Sequence, residues 1–153
     1  MSFKSALIQS AFIVRWVAHE AGDGRRLLQA AVSAKAQCSG PMVYIAIAPA
    51  DVPPPSDKVR DELAETLDRL LEHCSCVHLV IEATGFRGVV ARAAATGIFM
   101  VTGKRGRVSP HVSVEEALTS CKHLDARSAQ ILSSAKLQGL LDSPGLQTAV
   151  LHG

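Results

Sequence analysis

The side chains best suited to chemistry in this chain are four cysteines, Cys38, Cys74, Cys76 and Cys121, and six histidines. Cys74 and Cys76 form a C-x-C pair flanked by His73 and His78. A zinc knuckle uses C-x2-C and needs a second pair, which does not follow. The flanking histidines keep a metal reading open. The spacing favours reduced thiols, buried or half-buried, and no metal. The histidines never recur at a ligand spacing such as H-E-x2-H. Ser109-Pro-His111 reads as a poor nucleophile and base because neighbouring residues point apart, and no G-x-S-x-G elbow is present. Gly22-Asp-Gly24 lacks the third glycine of a dinucleotide loop, so Asp23 reads as a helix cap. The expectation is no catalytic residue, no cofactor and no enzyme.

A different chemistry attaches to Glu82-Ala-Thr-Gly-Phe-Arg87, where a strand gives way to a helix. A hydroxyl at such a junction sits over the positive end of a helix dipole, which stabilises negative charge by about 0.3–1 kcal/mol. Thr84 is therefore either a phosphoacceptor or anion contact, or simply the helix cap, with Gly85 making the turn. Lys104, Arg105 and Arg107 lie on a second, glycine-punctuated loop. It lacks the G-x4-G-K-[ST] pattern of a phosphate loop and reads as a contact for an acidic or phosphorylated partner, or as a solvated turn. Glu82, Thr84, Gly85, Phe86, Arg87, Lys104, Arg105 and Arg107 are the candidate binding residues.

The elements that hold these residues follow from the whole chain. Its 153 residues suit one domain with a core of its own. With 48% hydrophobic and 20% charged residues the chain is globular rather than disordered. A net charge of +2 is too small to imply nucleic acid or a membrane surface, and arginines are not interleaved with aromatics. The apolar run of residues 11–14 ends at Arg15, too short for a signal peptide or a span. A cytoplasmic protein is expected, with no membrane and no nucleic-acid partner.

Strand-like and helix-like segments alternate, the pattern of an α/β sheet with parallel neighbours. Residues 11–19 read as a first strand. A helix follows to about Cys38, with Leu27, Leu28, Ala31 and Val32 inward. The apolar run 42–48 reads as a strand buried on both faces, and prolines fill 49–55. Ser56 or Asp57 caps a helix whose stripe is Val59, Leu63, Leu67, Leu70 and Leu71. Then come a strand over 77–81, a helix over 89–96 stopped by Gly97, and a strand over 98–102. An extended piece over 108–112 precedes a Ser113/Glu116 capping box and a helix to about Cys121. A last helix over 126–141 has Ile131, Leu132, Ala135 and Leu140 inward, and a loose tail follows. The expected architecture is a single α/β domain with four or five largely parallel strands covered by helices.

The order of elements, with residues 77–97 and H-V-S-V-E-E-A-L from His111 to Leu118, resembles the STAS-like domains related to bacterial anti-sigma-factor antagonists. Those domains carry D-S-[ST]-G-L at a helix start, with a phosphorylatable Ser or Thr. Glu82-Ala-Thr-Gly-Phe86 is similar, with Thr84 and Gly85 at the matching places. Glu82, Ala83 and Phe86 depart from that pattern, and the usual opening hairpin is missing from the sequence reading. The E-x-x-G-F-R segment is also similar to small proteins of environmental bacteria for which it implies no activity. The resemblance implies a STAS-like domain over 1–121, with residues 122–153 a helix and tail packed on it. It implies a non-enzymatic regulatory or scaffold module acting by protein–protein interaction in bacterial signalling. Its surface would run from Glu82 to Arg92, joined by the basic loop. The alternative is a small-molecule or anion-binding protein using the same strand-end loops, and a third reading is a self-associating homo-oligomer.

Overall fold

The computed structural model describes residues 2–101 and 106–141, with side chains up to residue 93 in the third helix. The chain opens with an antiparallel hairpin of β1 (Phe3–Ile8) and β2 (Ala11–Trp16). Gln9 turns it with φ 56, the one positive φ at a non-glycine residue among those described. The sequence expectation missed β1 and carried β2 three residues too far. In FKSALI only the end residues Phe3 and Ile8 are buried, so the alternation that marks a half-buried strand is weak.

From β2 onward the path is α1 (Asp23–Ala36), β3 (Val43–Ala48), α2 (Asp57–Leu70), β4 (Cys76–Ile81), α3 (Gly85–Val101), β5 (Val108–His111), α4 (Val114–Thr119), a 3-10 turn (Asp125–Arg127) and α5 (Ser128–Leu137). The five strands lie in the order β1-β2-β3-β4-β5, and every pair after the hairpin is parallel. This is the expected single α/β architecture. β3 is the central strand, as its unbroken run of buried residues requires, so it offers no edge for self-association.

The sheet has two apolar layers. Under α1 and α2, the first holds Phe12, Val14, Leu27, Ala31, Tyr44, Leu70, Cys74 and Val77. The second, under α4 and α5, holds Ile13, Val43, Ile45, Val80, Leu118, Cys121, Leu124 and Ile131. Val32 is exposed, against expectation, because Leu27, Ala31 and Ala34 already fill the buried stripe of α1. Ser56 caps α2 by accepting from the Val59 N–H at 3.4 Å.

Two expectations are corrected around α3. It starts at Gly85 and runs to Val101, through Gly97 and over residues 98–101 of the segment expected to be a strand over 98–102. A short apolar run has no period that separates strand from buried helix, and one glycine costs a helix only about 1 kcal/mol. The consequence is topological: residue 107 precedes β5 and therefore lies at the amino ends of the parallel strands, opposite Thr84.

Candidate functional site

Parallel pairing of β4 with β5 sets His78 beside Ser109 and Val80 beside His111. Along a strand, residues i and i+2 share a face, so Cys76, His78 and Val80 point to the second layer, as do Ser109 and His111. α4 then lies across this part of the sheet and ends just before Cys121. The result is a polar cluster inside an apolar layer. His78 Nε2 lies 3.4 Å from Cys76 Sγ and 3.1 Å from Cys121 Sγ. His78 Nδ1 lies 2.8 Å from His111 Nε2, and Ser109 Oγ is 3.1 Å from each of those two nitrogens. His111 Nδ1 is 3.1 Å from Glu116 Oε1. His78, His111 and Cys121 are buried, and Cys76 is half-buried.

The hydrogen-bond inventory fixes the protons, an assignment made from the network. A carboxylate accepts, so His111 Nδ1–H donates to Glu116. Burial lowers the His111 pKa more than Glu116 raises it, which favours the neutral ring. Its Nε2 then accepts from His78 Nδ1–H. His78 Nε2 then faces the two sulfurs. Between these, the Cys121 S–H donating to Cys76, with His78 alongside, holds the Cys76 thiol well below the usual cysteine value despite burial. The Cys76 sulfur and burial together push Cys121 upward. The two thiols thus shift in opposite directions, with His78 Nε2 against both sulfurs.

Sequence reasoning missed this site for identifiable reasons. The C-x-C pair is divided by the sheet: Cys74 belongs to the first layer, where burial pushes its thiol up to about 12, and Cys76 packs on the second. His73 takes no part in the cluster. Ser109 and His111 do not point apart, since a strand brings i and i+2 together. Only half of the capping box forms: Ser113 Oγ accepts from the Glu116 N–H at 3.1 Å, while the Glu116 carboxylate turns to His111. The usable signal was same-face spacing, Cys-x-His on one strand and Ser-x-His on the next.

The sequence-derived binding residues are dispersed. Glu82 is half-buried and paired with Arg15 at 3.0 Å. Thr84, Gly85 with φ 64, Phe86 and Arg87 are exposed at the start of α3. Gly88 is required there, because a Cβ would run into the Ala83 carbonyl. Arg92 Nη1 donates to the Ile81 and Ala83 carbonyls at 3.0 and 3.1 Å, fastening α3 to the end of β4. Arg107 is spent on structure: its guanidinium donates to the Leu71 and Cys74 carbonyls at 2.6 and 3.0 Å, closing the carboxyl end of α2. It cannot join the Thr84 surface. Lys104 and Arg105 lie outside the described residues. Asp23, expected to cap α1, turns back to accept from the Glu20 N–H at 2.6 Å and from Arg26 at 2.8 Å. Glu62 from α2 takes the capping role, accepting from the N–H groups of Gly22 and Gly24 at 3.1 and 3.0 Å.

No family model matches this chain, nor does any curated protein or solved structure with which it was compared. Among the described residues no helix is long and apolar enough to cross a membrane.

Proposed function

We propose that the protein is a non-enzymatic regulatory module of bacterial signalling, acting in the cytoplasm by binding another protein through the start of α3. One observation carries this reading. Phe86 is 82% exposed, Val89 60% and Val90 49%, and their i, i+3, i+4 spacing puts them on one helical face. Full burial of such a side chain is worth roughly 1.5–3 kcal/mol, so a contiguous apolar face left in water marks a contact site. Thr84 stands exposed at the same end, where the helix dipole favours added negative charge. The opening hairpin of β1 and β2 removes one departure from the STAS-like pattern and so supports the resemblance.

The test is co-purification from the native cell with wild type, Phe86→Asp and Val90→Asp, each confirmed as folded by circular dichroism. The reading expects a stoichiometric protein partner with wild type that both variants lose. Thr84→Glu should shift its affinity while Thr84→Ala should not. Unchanged partner profiles across all four variants would refute it, and a mass that rises with concentration in light scattering would replace it with self-association.

A further inference from the structure

We infer that Cys76, His78 and Cys121 form a Zn²⁺ site of the Cys2His type, with His111 and Glu116 orienting the histidine. The three ligand atoms all lie within 4.8 Å of one another. Tetrahedral zinc, with Zn–S about 2.3 Å and Zn–N about 2.0 Å, places sulfur and nitrogen about 3.5 Å apart. The observed separations are 3.4 and 3.1 Å, so an ion is admitted by opening the cluster a few tenths of an ångström. Two thiolates and an imidazole are a borderline-soft donor set, suited to zinc and poorly suited to Mg²⁺ or Ca²⁺.

Two independent features separate this cluster from an ordinary buried hydrogen-bond network. The first is the support behind the ring. The chain from Glu116 through His111 to His78 occupies the Nδ1 side of His78 and leaves Nε2 facing the sulfurs, as a ligating histidine needs. A carboxylate or carbonyl behind a histidine is the usual support for one bound to metal. The second is location. The sulfurs come from β4 and from Cys121, just past the C-cap of α4, so an ion would tie the sheet to the helix covering it. Cys76, the half-buried member, is the side from which an ion enters. Ser109 lies behind the His78 ring, next to Nδ1, rather than among the ligands. Among the described residues the protein thus supplies three ligands.

Binding releases the thiol proton that remains on the cysteine pair, and water from the hydrated ion, to solvent as two S–Zn bonds and one N–Zn bond form, with no change in oxidation state. The test uses the full chain, reduced and stripped with chelator, and titrated with Co²⁺ as the spectroscopic probe. The expected result is a thiolate-to-cobalt charge-transfer band with the visible bands of a tetrahedral ion. Both should saturate at one equivalent and bleach on adding Zn²⁺. Cys76→Ser and Cys121→Ser should each lose about half of the charge-transfer intensity, and Cys38→Ser should lose none. Glu116→Gln retains the backbone N–H that Ser113 caps. It should keep the spectrum but weaken Zn²⁺ binding in a chelator competition by about 10- to 100-fold, the usual cost of losing such support. No charge-transfer band in the folded wild type would overturn the inference. So would a band that survives both cysteine substitutions, or an affinity that Glu116→Gln leaves unchanged.

Discussion

Each face of the sheet buries a polar cluster, and the two are built from opposite materials. On the first face, Asp23 and Glu62 collect four hydrogen bonds from Glu20, Arg26, Gly22 and Gly24 around the start of α1. Thr66 adds its own to the Glu62 carbonyl at 2.9 Å. The acceptors are hard oxygens and the donors are N–H or O–H, so the set closes on itself and locks α1 to α2. On the second face, the groups around His78 bring one nitrogen and two sulfurs to a common point. Burial alone therefore does not mark function. What distinguishes the second cluster is that its ligand-capable atoms converge, whereas the acceptors of the first each take a donor.

The largest expected contrast is between the two thiols of the C-x-C pair. At pH 7 a thiol of pKa about 12 is roughly 1 part in 10⁵ thiolate, and only the thiolate attacks an alkylating reagent. Cys76, half-buried and held low by Cys121 and His78, should react with iodoacetamide in the native protein. Cys74 should react only after unfolding. Mass spectrometry of partially alkylated protein decides this, and equal labelling of both would erase the distinction between the faces. Packing gives the next largest contrast. Leu70 is 2% exposed in the first layer, and Leu70→Ala should cost about 2–5 kcal/mol in urea unfolding. Cys76→Ser, at a half-buried site, should cost less than about 1 kcal/mol. Similar losses would mean that the second cluster is as structural as the first.

The fold was legible wherever one physical signal acted alone. The α2 stripe, the buried run of β3 and the Ser113 cap each depend on local spacing, and each formed as expected. The hairpin strand β1 and the long α3 were not legible, the first because its alternation is weak, the second because apolar runs carry no period. The cluster around His78 was hidden for another reason. Its members stand at 76, 78, 109, 111, 116 and 121, and only the β4–β5 register and the placement of α4 on the sheet bring them together. Glu116 was legible as a capping residue and nothing more, since its partner His111 is determined by the placement of α4 on the sheet. The strand-to-helix junction at Thr84 and Gly85, by contrast, was legible, because it is a local feature.

A more modest effect tests how tightly the first cluster is closed. A Cβ on Gly24 would run into Thr66 Oγ1 and crowd the Glu62 carboxylate, where α1 and α2 meet. Gly24→Ala should therefore destabilise by about 1–3 kcal/mol, although alanine is the better helix former. Adding Thr66→Ala removes the clashing hydroxyl and should recover part of the loss in a double-mutant cycle. A stabilising Gly24→Ala would show that the junction has room the structure does not show.

The smallest expected effect is electrostatic and concerns Asp23. Burial pushes its carboxyl upward, but the Glu20 N–H and the Arg26 guanidinium outweigh this and hold it below the ordinary aspartate value. A depressed pKa means that the unfolded chain takes up the proton first. The stabilisation is complete above the unfolded value near 4 and is lost as the pH falls toward and through the folded one. Wild-type stability should therefore fall as the pH drops below about 4, with Asp23 contributing to the slope. Asp23→Asn has no proton to take up at this site, so its stability should depend less steeply on pH over the same interval. It should also be lower than wild type at pH 7, where the charged hydrogen bond to Arg26 is lost. The two curves should converge toward pH 2. Parallel curves would mean that Asp23 titrates alike in both states, and the closed network of the first face would lose its electrostatic part.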